Sequence, residues 1–188
     1  MITNRREFLK SVTAAGAATY LANHQPLAAQ SLSKMDVFNQ LPDIPWGAVY
    51  FRKSNPDYEH WEGDYRQAVK DGMNTFRHWF MWSAIEVAPG KYDWADYDAQ
   101  FELAAKHGIK TVIGEMLGTA PLWAFRKWPH ARVASSDDTP HYPHYTPASA
   151  VGGWPGLCLD NDEVKDQAEK FLIAMVRRYK DHPGMGAY

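Results

Sequence analysis

From residue 46 onward the apolar positions follow two alternating rhythms. Short continuous apolar runs, suited to buried strands, occupy residues 46–51, 74–78 and 109–115, and another begins at Met185. Between them apolar residues recur at helical spacing. Trp61, Tyr65, Ala68 and Val69 form one stripe, and Trp94, Tyr97, Phe101, Ala104 and Ala105 a second. The third and longest runs through Val164, Ala168, Phe171, Leu172, Met175, Val176 and Tyr179. Punctuation agrees with the rhythm: Asp71-Gly72, His107-Gly108 and His182-Pro183-Gly184 each close a helix. Asp160, with Glu163 three residues on, predicts a capping box at the start of the last helix. The predicted order is β-α-β-α-β-loop-α-β. Such alternation means an α/β fold with a parallel sheet, either doubly wound or a (βα)8 barrel.

Residues 75–94 decide between these. The run leaves a strand at Thr75 and Phe76 and releases Arg77, His78, Trp79 and Trp82 in quick succession, before a turn at Pro89-Gly90-Lys91-Tyr92-Asp93-Trp94. No Gly-x-Gly-x-x-Gly follows the first strand, and no phosphate-binding Gly-Lys-Ser or Gly-Lys-Thr occurs, which argues against a nucleotide-binding doubly wound sheet. Aromatic and charged groups instead cluster just after the second and third strands, where a TIM barrel builds its site. A barrel takes about 250 residues. The expectation is therefore the N-terminal half of one over residues 46–188, with about three βα units and the start of a fourth strand.

The first 45 residues do not share the rhythm. Arg5-Arg6-Glu7-Phe8-Leu9-Lys10 resembles the twin-arginine export signature, with Asn4 where Ser or Thr is more usual. A mild, Ala-rich apolar stretch over residues 12–22 follows, too short and too weakly apolar to span a membrane. Residues 1–29 are read as a twin-arginine signal peptide and 30–45 as a linker. That predicts a periplasmic or secreted protein with no membrane attachment after cleavage.

Composition narrows the chemistry. Among 188 residues the net charge is −2, which suggests neither nucleic acid nor an anionic membrane as partner. Aromatic residues make up 14%, a share that suits a carbohydrate-facing protein, because indole faces stack on the C–H faces of sugars. The single cysteine, Cys158, excludes an internal disulfide and any multi-cysteine metal site; it reads as a small buried residue. The His-rich loop with His130, His141 and His144 lies among prolines and hydroxyl residues, without metal-ligand spacing, and reads as a solvated surface loop. No metal or cofactor is expected.

Five residues are candidates for binding a sugar. Arg77 ends the second strand and would either aim its guanidinium at a pocket or steady strand ends through an ion pair. Glu115 ends the third strand, where a hydrogen bond to a hydroxyl and a rim salt bridge are equally open. Trp82, Trp123 and Trp154 are candidate stacking platforms, one at least of them packing. Glu86, in the loop after the second strand, reads as a structural loop carboxylate.

The same residues carry a resemblance. Phe76-Arg77, Trp82-Ser83, Ile85-Glu86 and Gly90-Lys91-Tyr92-Asp93-Trp94 are similar to the second-strand region of glycoside hydrolase family 42, the bacterial β-galactosidases. Gly108-Ile109-Lys110-Thr111-Val112 with Thr119-Ala120-Pro121-Leu122-Trp123, and Tyr179-Lys180-Asp181-His182-Pro183 running into Gly186-Ala187-Tyr188, also resemble it. The resemblance implies hydrolysis of terminal β-glycosides with retention, in which one carboxyl protonates the leaving oxygen and a second attacks the anomeric carbon. In the family these are a Glu after Asn on the fourth strand and a Glu on the seventh. Neither has a counterpart up to Tyr188, so the chain reads as a fragment holding part of the sugar site and no catalytic residue. The family's arginine four residues before the third-loop cysteine is replaced by Trp154. A different β-linked sugar is thus an alternative, as is a non-catalytic carbohydrate-binding remnant. An open half-barrel is expected to fold poorly on its own.

Overall fold

The computed structural model describes residues 41–53, 55–146 and 149–188, and side chains outside 144–153. The predicted signal peptide and most of the linker lie outside the described residues. The main sheet has four strands: β1 (Gly47–Arg52), β2 (Thr75–Met81), β5 (Lys110–Met116) and β8 (Met185–Ala187). They are ordered β1-β2-β5-β8 and every neighbouring pair is parallel. This is the parallel α/β arrangement that the alternating rhythm predicts. Helices α1 (Trp61–Lys70), α3 (Ala95–His107) and α5 (Asp162–Tyr179) connect successive strands.

The β1–β2 and β2–β5 pairings set the two faces of the sheet. Phe76, His78 and Phe80 alternate with Arg77 and Trp79 along β2, and the first three are buried while Arg77 is exposed. Phe76 packs with Tyr65, Ala104 and Ile109; Phe80 lies tilted against Tyr97 and edge-on to Phe101 and Tyr179. The helices therefore cover the Phe76/Phe80 face. On the other face Val49 is 56% exposed, which no isolated sheet would favour.

Helix ends follow their local chemistry. Gly108 adopts φ 70°, the left-handed conformation that glycine takes without strain, and its N–H caps α3 through the carbonyl of Ala104. At α5 the cap is Asn161 rather than the predicted Asp160: its side chain accepts the Val164 N–H at 3.1 Å. With the cap moved by one residue, Glu163 falls out of capping-box position and meets His130 at 3.3 Å instead.

Six elements escape the sequence reading. β2 runs on to Met81, and the short helix α2 (Trp82–Ile85) follows at once. The predicted turn is an antiparallel hairpin of β3 (Glu86–Ala88) and β4 (Lys91–Tyr92). A six-residue helix, α4 (Leu122–Lys127), starts the long loop after β5. The end of the His-rich loop pairs β6 (His144–Thr146) with β7 (Ser149–Trp154), where small residues give no alternation to read.

Candidate functional site

The carboxyl ends of β1, β2 and β5 carry the candidate site. Arg77 lies on the helix-free face, in register with Val49 on one side and Val112 on the other. Its guanidinium extends along β5 and covers Gly114, where an added Cβ would come within 2.7 Å of its Nε. Gly114 is thus the residue that lets the guanidinium lie flat on the neighbouring strand. Among the described residues Arg77 has no ion-pair partner, so the ion-pair alternative finds no support. A cavity of about 290 Å³, lined by Arg77 with Gly47, Val49 and Thr75, lies at the amino ends of β1 and β2, the opposite end of the strands from Gly114, and so is not part of this site.

Trp79, two residues on, shares that face, and the Arg52 guanidinium sits 5.6 Å from its ring centroid. Arg52 Nε and Trp79 Nε1 are both buried and lack a hydrogen-bond partner among the described residues. Two orphaned buried donors are costly in a finished core, and with no exposed surface neither reaches a ligand in this arrangement. The sequence reading named Trp79 in its aromatic cluster but not among the five candidates, and passed over Arg52. Strand alternation was the available signal, since Trp79 must share the face of Arg77 whereas His78 must not.

His78 is accordingly a core residue. Phe51 N–H donates to its Nδ1 at 3.2 Å, so the neutral ring carries its proton on Nε2, 3.2 Å from the Tyr65 hydroxyl. The Tyr65 hydroxyl reaches the Gln100 carbonyl at 3.1 Å and its Oε1 at 3.0 Å. Burial alone, with no carboxylate to offset it, holds the imidazole down at about 3.

Trp82 does not offer a stacking face, contrary to expectation. It is fully buried, lies 6.2 Å from Phe171 in a stacked arrangement, and donates its Nε1–H to Glu86 at 2.6 Å. Glu86 is itself fully buried. Its other oxygen accepts the Gly90 N–H at 2.7 Å and the Gln167 amide at 2.6 Å, while its backbone carbonyl accepts the half-buried Trp123 indole at 2.8 Å. The carboxylate thereby ties α2, the β3–β4 hairpin and α5 together, as a loop-bracing carboxylate should. With no exposed surface and both oxygens engaged, it cannot attack or protonate a sugar.

The remaining candidates are dispersed. Glu115 is exposed, pairs in register with Phe80 on the face opposite Arg77, and accepts the Leu117 N–H at 3.1 Å. Trp154 is half-buried, with its ring edge 3.2 Å from where a Gly118 Cβ would stand. Trp123 lies 5.8 Å from Trp128 and packs against the core. Among the proposed loop histidines, His130 meets Glu163 and His141 Nε2 lies 2.8 Å from the Ser135 hydroxyl. Cys158 is half-buried.

Comparison with known proteins places this geometry. The family model for glycoside hydrolase family 42, described as beta-galactosidase, matches residues 50–188. A beta-galactosidase from Haloferax lucentense is 28% identical over 146 residues, covering 76% of this chain and 20% of that protein. One from an Arthrobacter species is 28% identical over 157 residues, covering 81% and 21%. In structure the chain is similar to the beta-galactosidase of Bacillus circulans sp. alkalophilus, with a TM-score of 0.64 and 21% identity over 81% of this chain and 23% of that one. The enzyme from Halorubrum lacusprofundi gives 0.62 and 23% over 73% and 20%. The chain thus spans about a fifth of the length of the curated relatives it matches.

Proposed function

Since the chain belongs to glycoside hydrolase family 42, we propose that it supplies the first four strands and one sugar-binding wall of a barrel that hydrolyses terminal β-glycosides with retention. The observation that carries this reading is the Arg77 guanidinium, laid over Gly114 on the helix-free face at the carboxyl half of the sheet and without an acidic partner among the described residues. A guanidinium so placed can donate to sugar hydroxyls. Sequential parallel order β1-β2-β5-β8 fits the opening strands of a barrel closed by further chain. The acid/base and the nucleophile are expected on later strands, because Glu86 is engaged on both oxygens and Glu115 faces away from Arg77.

The coding sequence beyond Tyr188 is the first test. An in-frame continuation with Asn-Glu within the next few residues supports the hydrolase. The continued protein should then cleave a nitrophenyl β-galactoside, and Arg77→Met should raise KM. A genuine stop codon, with no gene supplying later strands, overturns hydrolysis and leaves carbohydrate binding without catalysis. Trp154 in place of the family arginine supports a β-linked sugar other than galactose. A panel of nitrophenyl glycosides separates the two, since a galactoside cleaved fastest rules out the substitution of sugar.

Export is the second part of the proposal, resting on Arg5-Arg6 and the Ala-rich stretch behind it. Residues 1–29 fused to a reporter should carry it across the inner membrane, and Arg5→Lys with Arg6→Lys should stop it. Export that persists in a strain lacking the twin-arginine translocase would overturn this route.

A further inference from the structure

The long loop after β5 holds a second concave site, separate in its residues from the Arg77 wall. Leu122 and Phe125 on α4, with Pro129, Arg132 and Tyr142 beyond it, line a cavity of about 400 Å³. That volume sits at the small end of ordinary ligand pockets, roughly 300–1,000 Å³. The Arg132 guanidinium lies over the Tyr142 ring at 4.4 Å and near the Phe125 ring at 5.5 Å. These contacts hold the flat fork in place. One of its nitrogens, Nη1, is buried and has no hydrogen-bond partner among the described residues. Arg126 also lines the cavity, and among the described residues neither arginine has an ion-pair partner. Arg178, by contrast, is held by Asp98 through two bonds of 2.7 and 2.5 Å. Glu163 is spent on His130.

Two cations without acids, around a cleft with apolar walls, call for an anion that carries an apolar face. A guanidinium fork matches a carboxylate. An exposed tyrosine ring and the Leu122 and proline surfaces match the C–H face of a pyranose. We propose that this pocket binds a uronic acid residue, its carboxylate on Arg132 and Arg126 and its ring against Tyr142. The sugar half of the assignment rests on the carbohydrate reading above; the anion half rests on the two arginines alone. Loops at the carboxyl ends of barrel strands form the substrate face, so the site would recognise acidic residues of a larger glycan.

Titration calorimetry on the full chain with galacturonate and with galactose tests this. Arg132→Met should weaken galacturonate about tenfold, the loss of one charge-assisted pair. Tyr142→Ala alters only a ring that is 64% exposed, so it should leave the fold intact and weaken galacturonate as well. Arg77→Met should leave galacturonate binding unchanged and reduce that of galactose. Galacturonate binding insensitive to both Arg132→Met and Tyr142→Ala overturns the site. Acetate competing as well as galacturonate overturns the sugar, and tighter binding of galactose 6-sulfate overturns the carboxylate. Galactose binding that is insensitive to Arg77→Met, with the galacturonate pattern intact, counts against the first site and leaves this one standing.

Discussion

Glu86 and His78 illustrate how single residues in one motif divide between support and site. Glu86 accepts three donors while having no exposed surface. Glu86→Ala strands the Trp82 indole, the Gly90 amide and the Gln167 side chain together. The Gly90 N–H is exposed and can turn to water, but the Trp82 and Gln167 donors are buried, and each left unpaired costs about 1–3 kcal/mol, so a loss of roughly 2–5 kcal/mol is expected in urea unfolding. A loss below about 1 kcal/mol would contradict the bracing role. For His78 the folded imidazole titrates at about 3 against an ordinary value of 6.5. The neutral form is the one folding favours, so its contribution is complete above pH 6.5 and drains away as pH falls towards 3. Unfolding free energy should decline by up to about 1.4 kcal/mol per pH unit through that window. His78→Gln should flatten the slope between pH 6.5 and 4.5, whatever it does to stability at pH 7. Parallel slopes for the two proteins would rule the imidazole out as the source.

At the scale of elements, α5 offers the clearest dependence on one side chain. Asn161 caps it, and Asn161→Ala should cost about 1 kcal/mol while Asp160→Ala costs nothing measurable, as read by thermal unfolding. The reverse ranking would restore the predicted cap. Three helices and four strands were legible because their apolar periods of 3.6 and of continuous burial persist over many residues. The two hairpins were not. β3–β4 depends on the Gly90 amide finding the Glu86 carboxylate, a contact made four residues apart in a turn. β6–β7 pairs His144 with Trp154 and Thr146 with Ser149, short segments with no sustained apolar alternation. Trp82 was misplaced for a related reason: it follows the end of β2 in sequence, yet α2 turns its ring into the core against Phe171.

For the whole molecule the open sheet is decisive. Among the described residues β1 and β8 are the outer strands, and the helix-free face exposes Val49 beside Arg77. Unpaired edges and an uncovered apolar face favour association. The 188-residue chain should therefore show concentration-dependent self-association in sedimentation and a broad melting transition. A monomer that melts sharply and cooperatively would contradict this. Among the described residues no helix is long and apolar enough to cross a membrane.

What the sequence determined by itself was periodicity and local chemistry: the α/β order, the parallel sheet, the helix-closing Gly108, and the motifs that carry the family resemblance. Those are properties of residues near one another in the chain, where propensity and spacing act directly. Only the tertiary structure decided which side chains face one another. It sent Trp82 inward and Glu115 to the far face, and it laid Arg77 over Gly114. It also set Arg52 upon Trp79, because those pairings depend on strand register and on helices packing from distant segments. Facing is a long-range property, and a side chain's chemistry becomes a site only once facing is fixed.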